Sequence, residues 1–569
     1  MFKLRRFLKH YKKELVLGPF FKLLEAIFEL IVPVVMAKII DSGIGNNDSD
    51  YVWKMSGLIV VLGICGLGFA LTCQFFAAKC AYGFGTELRN ELYKHINRLS
   101  HAEIDKFGTS SLITRVTNDT VLAQNGVNMF IRLAVRAPFL IIGAAVMAMM
   151  LDLKLSIVFL IAAPVITAII VWVMKKTVPM YKRIQKGLDK ISLLTRENLE
   201  GVRVIRAFSK QDEEKKKFNE ESQALAESSI IAGKISAILN PVTFMIMNLG
   251  IVAILWFGGI RVDTGHLTQG EITAFVNYMT QILLAMVVLA NLVVVFTKAA
   301  SSASRINEVF ETQPSIITGK DKVFDLSKHA IEFNNVSFEY PGAGDLSLEN
   351  ITFTLNRGEV LGVIGGTGSG KSTLANLVPR FYDISFGSIR IFGKNIKSYS
   401  LESLRKLIGV VPQKAALFSG TVADNMRWAK PDASEDDIIK ALKIAQAWEF
   451  VSKLPDGIHT HIEQGGKNLS GGQRQRLTIA RALVGNPPVV ILDDSMSALD
   501  YATDLALRKA IESELSDTAV IMISQRATTL QNANEILVLD DGKTAGFGTH
   551  SELLENCQEY LEIYNSQMS

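Results

Sequence analysis

Cysteine is nearly missing from this sequence: 569 residues contain only Cys65, Cys73, Cys80 and Cys557. Three of these lie in or beside one apolar stretch and none stands at metal-ligand spacing, which excludes a disulfide framework or a zinc site as an organising device. Charge is thin as well, at 20% of residues, and a net value of +4 is small for this length. Bulk charge therefore offers nothing to nucleic acid. The N-terminus, MFKLRRFLKHYKKE, is basic, but no short apolar run with a small-residue cleavage site follows it, so a removable signal peptide is not expected. After Ala300 the chain has no further apolar stretch long enough to cross a bilayer.

What the sequence has in excess is apolar surface, at 49% hydrophobic residues. Its length calls for more than one domain. A membrane helix needs about 20 largely apolar residues, and stretches near 15–42, 55–81, 134–152, 155–174, 240–260 and 272–297 qualify. From Ile331 onward, short β-rich runs alternate with glycine turns and amphipathic helices. The expected architecture is an all-α six-helix transmembrane domain over 1–312, a polar linker over 313–330, and an α/β domain over 331–569. Lys and Arg crowd the N-terminal arm and the stretches 82–133 and 175–239, whereas the loop 43–52 has acids and no base. The positive-inside rule then puts both termini, both long loops and the α/β domain in the cytoplasm of a cell-membrane protein. The arm itself, with Phe2, Leu4, Phe7 and Leu8 among its cations, predicts an interfacial amphipathic helix. Turns near Lys106–Leu112 and within 197–217 are candidates for pressing on the soluble domain.

The sharpest local pattern is Gly365-Gly366-Thr367-Gly368-Ser369-Gly370-Lys371-Ser372, which follows the apolar run Val360–Ile364 and opens a helix at Thr373. This is a P-loop in its required strand–loop–helix setting. Its glycines let backbone N–H groups curl around phosphate oxygens, with Lys371 for the β/γ-phosphates and Ser372 for Mg²⁺. A second apolar run, Val489–Leu492, ends in Asp493 and Asp494. The first acid suits Mg²⁺ and the second suits a place near the attacking water.

Between these motifs lies Leu469-Ser470-Gly471-Gly472-Gln473. Here the chain resembles the ATP-binding cassette family, and the resemblance runs along its whole length. It implies an adenine-stacking role for Tyr340. It implies a Q-loop role for Gln413, on Mg²⁺ and beside the reacting phosphate, and a D-loop role for Asp500. Glu197, Gly201, Ile205 and Phe208 are similar to an exporter coupling loop. Ser470, Gly471, Gly472 and Gln473 would grip the ATP held by an opposite cassette, so the resemblance also implies a partner chain.

Three positions depart from the family's hydrolytic pattern. Asp494 stands where active sites carry glutamate, Gln525 replaces the switch histidine, and Gln464 takes a place usually given to glutamate. Aspartate holds its carboxylate about 1 Å short, a misplacement that can cost about 10²-fold in rate. Glutamine cannot be cationic or carry a proton. The pattern resembles the degenerate-site half of a heterodimeric multidrug exporter. The partner would carry the glutamate and histidine, and this chain's intact signature would complete the partner's site. A homodimer with two weakened sites and an ATP-gated regulatory subunit are the alternatives. The expected substrate is a small amphipathic compound moved across the lipid bilayer. Lys22, Glu25 and Glu29 share one helical face, either as a substrate-facing stripe favouring cations or as mutual partners. Asn248, Gln281 and Asn291 face a cavity or bond between helices.

Overall fold

The computed structural model describes residues 2–322 and 324–568, without the side chains of Phe2 and Met568. The chain folds as two compact units, Met1–Asn97 with Ser110–Thr312, and Arg98–Thr109 with Gln313–Ser569. The first 312 residues are helical almost throughout: α1 (Lys12–Lys38), α2 (Ser49–Ile96), α3 (His101–Phe107), α4 (Thr109–Thr114), α5 (Thr120–Met129) and α6 (Arg136–Leu151) are followed by α7 (Ile157–Glu200), α8 (Val202–Ala207), α9 (Gln211–Ala237), α10 (Leu239–Asp263) and α11 (Gln269–Glu311).

Among the described residues, five helical stretches are long and apolar enough to cross a membrane: Ser49–Ile96, Thr109–Leu151, Ile157–Glu200, Gln211–Asp263 and Gln269–Glu311. The first expected span is α1, which is helical for 27 residues but carries Lys22, Glu25 and Glu29 in its middle. Its length of about 40 Å at 1.5 Å per residue still matches a bilayer. Several spans run well past their apolar runs, because the long polar loops that adjoin them carry a helical spacing already legible in the sequence. The helix α2 reaches Ile96 and α7 reaches Glu200. Outward-facing residues of α2 such as Trp53, Ile64, Leu67 and Phe75 are more than half exposed, as a lipid-facing surface requires.

The α6–α7 hairpin closes at Asp152, whose Oδ1 accepts from the Leu155 N–H at 2.7 Å while Oδ2 pairs with Arg261. Farther along, Asp119 is fully buried and accepts from Ser302 Oγ at 2.9 Å and from Arg305 Nε at 2.8 Å. The N-terminal segment Phe2–Tyr11 is helical as expected, but Leu4 and Phe7 are buried inside the unit, and the Arg6 guanidinium lies over Phe310. Those apolar residues are therefore taken by protein contacts, and Phe2, which completed the expected face, has a side chain outside the described residues.

The second unit is built on two sheets. Strands β1 (Ile331–Phe338), β2 (Leu348–Leu355), β4 (Phe386–Ile391) and β5 (Lys394–Asn395) form an antiparallel sheet, with β3 (Val360–Gly365) lying between them in sequence. The other sheet has the order β12-β11-β3-β10-β9-β6, where β6 is Ile408–Val411, β9 Val489–Asp493, β10 Ala519–Ile523, β11 Glu535–Asp540 and β12 Lys543–Gly548. A two-residue pair, β7 (Gly420–Thr421) and β8 (His461–Ile462), stands apart. Strands β9 and β10 are buried at every position and β3 at all but its first, the unbroken apolar pattern of parallel strands covered on both faces. Parallel pairing of Ile523 with Val363 and of Met522 with Leu492 brings the carboxyl ends of β3, β9 and β10 to one edge. Ligands of open α/β sheets bind at such an edge.

The helices of this unit are α12 (Lys371–Leu377), α13 (Leu401–Lys406), α14 (Val422–Arg427), α15 (Glu435–Ile444), α16 (Trp448–Val451), α17 (Gly471–Leu483), α18 (Tyr501–Glu514), α19 (Ala527–Leu530), α20 (His550–Asn556) and α21 (Gln558–Met568). The polar segment expected as a linker is partly tied down here. The Gly319 N–H donates to the Tyr399 carbonyl at 2.9 Å and the Asp321 N–H to the Ser398 carbonyl at 3.0 Å. Val323 of that segment lies outside the described residues.

The segment Arg98–Thr109 belongs to this second unit, although helices of the first unit flank it in sequence. Ser100 and Glu103 close a capping box at the start of α3, and Gly108 ends it with φ 75°. The ring of His101 stacks on Phe381 at 4.4 Å, and Tyr382 donates to Asp105 Oδ2 at 2.6 Å. This segment runs into the first of the two turns expected to press on the soluble domain. Burial holds the His101 imidazole below its ordinary value of 6.5, the Arg405 cation adds to this, and Asp105 opposes it. A histidine depressed in this way favours packing only while neutral. Its contribution is complete above about pH 6.5 and declines as pH falls below that value. The protection of residues 101–107 against hydrogen exchange, taken relative to the intrinsic rate at each pH, is expected to fall between pH 7.5 and 5.5. His101→Phe, which keeps a ring on Phe381, removes that dependence; an unchanged profile in the variant contradicts the account. In the first unit, Asp119→Ala takes an acceptor from Ser302 Oγ and Arg305 Nε, and a loss of about 1–2 kcal/mol is expected, read as a lowered melting temperature of the detergent-solubilised protein.

Candidate functional site

The edge where β3, β9 and β10 end carries a cavity of about 540 Å³. Tyr340, Thr367, Gly368, Gly370, Lys371, Ser372, Thr373, Gln413, Asp493, Asp494 and Gln525 all line it, so most residues proposed from sequence meet in one place.

The loop from Gly365 to Gly370 is shaped by backbone need. Gly368 and Gly370 have φ of 88° and 96°, a region side chains strain to enter. A Cβ at Gly370 would meet the Ser347 carbonyl oxygen and Leu348 at 2.7 Å, whereas one at Gly366 or Gly368 would meet only open space. That open side is where N–H groups can approach an anion. Lys371 is buried, and its ammonium donates to the Gly365 carbonyl at 2.9 Å and to the Gly366 carbonyl. Burial lowers its pKa, while Asp494 and Asp493 oppose that shift.

Ser372 Oγ donates to Asp493 Oδ1 at 3.1 Å. Burial holds Asp493 above the usual carboxylate range; the Ser372 bond works the other way and the Asp494 charge adds to the rise. A hydroxyl and a carboxylate side by side are hard oxygen donors, the set that Mg²⁺ takes alongside phosphate and water. Those two residues fit that ion. Next to them, Gln413 Nε2 donates to Asp494 Oδ2 at 3.4 Å, and Asp494 itself sits at φ 45°. Tyr340 lines the cavity with its OH 3.2 Å from Thr373 Oγ1 and its ring edge-on to Tyr382 at 5.2 Å.

The remaining sequence candidates lie outside this cavity. Ser470 caps the exposed start of α17, where the Gln473 N–H meets Ser470 Oγ at 3.3 Å and Gln473 Oε1 accepts from the Ser470 N–H at 2.9 Å. Gly471 has nothing within 4 Å of an added Cβ. The signature thus presents a helix N-terminus to the outside of its own cassette. Asp500 spends both carboxylate oxygens on capping α18, at 2.9 Å to the Thr503 N–H and 2.8 Å to its Oγ1.

One residue here escaped sequence reasoning. The amide of Gln567, on α21, donates to the Gln525 carbonyl at 2.7 Å and accepts from the Ala527 N–H at 2.8 Å. It holds the backbone of the switch loop on both sides of Arg526. Glutamine near a chain end matches no motif, and only the packing of α21 beside α19 brings it there.

Comparison with known proteins decides the family. The ABC transporter transmembrane region matches residues 15–286, and the ABC transporter domain matches residues 348–497. The chain is an ABC transporter. It is similar over 561 residues, at 37% identity, to the ABC transporter ATP-binding protein YfiB of Bacillus subtilis, covering 99% of this chain and 97% of the relative. It is 32% identical over 568 residues to the ATP-dependent lipid A-core flippase of Haemophilus influenzae, covering 99% and 96% of the two chains. A solved bacterial Atm1-family ABC exporter with ATP bound superposes with a TM-score of 0.82 over 98% of both chains, at 22% identity, and this likeness speaks for the fold. As an ABC exporter half-transporter, the chain joins one membrane domain to one cassette, and the family's work is ATP-driven transport. Its cassette is an ATP-binding domain.

Two outcomes test the site. Lys371→Ala is expected to weaken binding of a fluorescent ATP analogue at this cassette at least tenfold. Gln567→Ala is expected to leave the fold intact but speed hydrogen exchange across residues 523–528, and unchanged exchange there refutes the clamp.

Proposed function

We propose that this half-transporter is the weakly hydrolytic member of a heterodimeric exporter of small amphipathic compounds. One observation carries the reading: the cavity beside Lys371 has Asp494 and Gln525 where hydrolysis calls for glutamate and histidine, while the signature at Ser470–Gln473 is intact and faces outward.

The chemistry is argued from these residues. Lys371 and the N–H groups of the 365–370 loop bind and orient the phosphates. Tyr340, whose ring lines the cavity, supports the adenine ring. Ser372, Asp493 and Gln413 are the groups to hold Mg²⁺, which when bound neutralises charge developing on the transferred phosphoryl group. Asp494 would act on the attacking water but is one methylene shorter than glutamate, and Gln413 Nε2 lies 3.4 Å from its Oδ2. Gln525 can donate a hydrogen bond to a phosphate oxygen but cannot hold a positive charge there. Nucleotide is retained and turned over slowly. The outward-facing Ser470 hydroxyl and the N–H groups of Gly471 and Gly472 would complete the site of a second, similar half-transporter that supplies the missing glutamate and histidine.

ATP-driven closure of the two cassettes reaches the membrane helices through α3, which is part of the cassette unit while its chain continues into α2 on one side and α4 on the other. The cassette lies in the cytoplasm on this reading, consistent with the basic loops. The Haemophilus relative is a lipid A-core flippase, which agrees with an amphipathic cargo without naming this one.

The purified chain alone is expected to bind ATP yet hydrolyse it at about one hundredth of the rate of the complex isolated with its partner. Asp494→Glu combined with Gln525→His is expected to recover most of that factor. Turnover by the chain alone equal to that of the complex would sink the heterodimer reading in favour of a homodimer.

A further inference from the structure

The first fourteen residues carry six Lys or Arg side chains against one acid, Glu14, and the nucleotide chemistry uses none of them. Their apolar side is spent inside the helical unit. Leu4 and Phe7 are buried, the Phe7 and Phe310 rings lie 5.8 Å apart, and the Arg6 guanidinium stands 4.6 Å from the Phe310 centroid. A Cβ at Gly83 would collide with the Tyr11 ring, so that ring packs directly on α2. Ion pairs complete the attachment: Lys3 with Glu311 at the end of α11, and Glu14 with Lys79 of α2 at 2.9 Å. His95 Nε2 donates to the Thr312 carbonyl at 3.0 Å, which joins the ends of α2 and α11 to each other. The segment is a brace across two helix ends, and the chain leaves the helical unit just beyond each of them, after Asn97 and after Thr312.

Four cations remain unspent. Arg5, Lys9, Lys12 and Lys13 are all exposed, and among the described residues none of their side chains forms an ion pair or a hydrogen bond. The one acid of the segment is buried and already paired with Lys79. Lys12 opens α1, and the apolar run begins at Leu15. At 1.5 Å per residue, Lys12 and Lys13 therefore stand within about 5 Å of that run along the helix. Lipid head groups lie at the edge of the hydrocarbon region, the level at which these cations sit.

A basic segment can meet a bilayer in two ways, and the packing separates them. An interfacial helix sinks its apolar face into the acyl boundary, but here Leu4 and Phe7 already face protein. What is left for the lipid is charge. Each basic side chain close to an anionic lipid surface is worth roughly fivefold in binding, whereas a zwitterionic head group has no net charge to offer.

We propose that Arg5, Lys9, Lys12 and Lys13 form a docking surface for anionic phospholipid head groups, and that lipid held there steadies the ends of α2 and α11 through the brace. The attraction is electrostatic and needs no insertion of the segment into the bilayer.

The test uses the full transporter, labelled with a donor fluorophore at the N-terminus of this chain. It is reconstituted in phosphatidylcholine nanodiscs that contain acceptor-labelled phosphatidylglycerol or, separately, acceptor-labelled phosphatidylcholine. At about 0.1 M salt, energy transfer is expected to show the anionic acceptor enriched about tenfold over the zwitterionic one around the donor. At about 1 M salt, where charges act over only about 3 Å, that enrichment should vanish. The combined variant Arg5→Gln, Lys9→Gln, Lys12→Gln and Lys13→Gln should lack it at low salt as well. Hydrogen exchange of residues 307–312 is expected to be about threefold slower with phosphatidylglycerol than without it in the original chain, and equal in the variant. Enrichment that survives high salt points to insertion and overturns the docking surface, and this arm needs no variant to fold. Enrichment that survives loss of the four cations overturns it too. Exchange unaffected by the anionic lipid in the original chain overturns the role of the brace.

Discussion

Everything at the nucleotide edge of the cassette follows from the parallel pairing of β3 with β10 and of β10 with β9. The hydrogen-bond ladder sets which residues lie opposite one another, and close packing of both buried faces holds that register. With Val363 opposite Ile523 and Leu492 opposite Met522, three chain segments far apart in sequence must end together. The glycine loop after β3, the acid pair after β9 and the switch after β10 become one site for that reason. Each motif supplies chemistry, and the sheet supplies the few ångströms between them.

The same cassette is divided in what it can do. Its own edge carries a phosphate-binding loop and a hydroxyl–carboxylate pair suited to a divalent ion. The groups that would act on water there are a short carboxylate and an uncharged amide. The signature, by contrast, is a well-capped helix start with room above Gly471, and it lies outside the cavity that its own P-loop lines. A single cassette therefore holds two half-sites that cannot meet within it. Pairing between chains is the geometry that would use both, as the proposed function requires.

In the membrane-spanning unit the governing constraint is different. Charged groups among apolar helices are costly unless paired, and the structure pairs them: Lys22 with Glu25, Glu29 with Arg136, Asp152 with Arg261, Asp119 with Arg305. All but the first link residues more than a hundred positions apart. They act as fixed points between helices that otherwise offer each other only nondirectional apolar contact.

The membrane-plus-cassette architecture, the P-loop and its strand, the acid pair, the signature and their departures from a hydrolytic pattern are all legible in the order of residues. These are local properties: apolar run length, glycine at positive φ, a capping serine three residues before its glutamine. The extension of the helices beyond the bilayer is legible as well, since α2 and α7 continue through polar residues whose spacing stays helical although their hydropathy falls. Other features exist only once the chain has packed. Glu29 meets Arg136 and not a cation, Leu4 and Phe7 pack into protein, α3 lies with the cassette through His101 and Tyr382, and Gln567 reaches the switch loop. Each of these is a contact between residues distant in sequence, made by side chains that could have found other partners, and composition and spacing do not rank those partners. Only the packed helices and strands do.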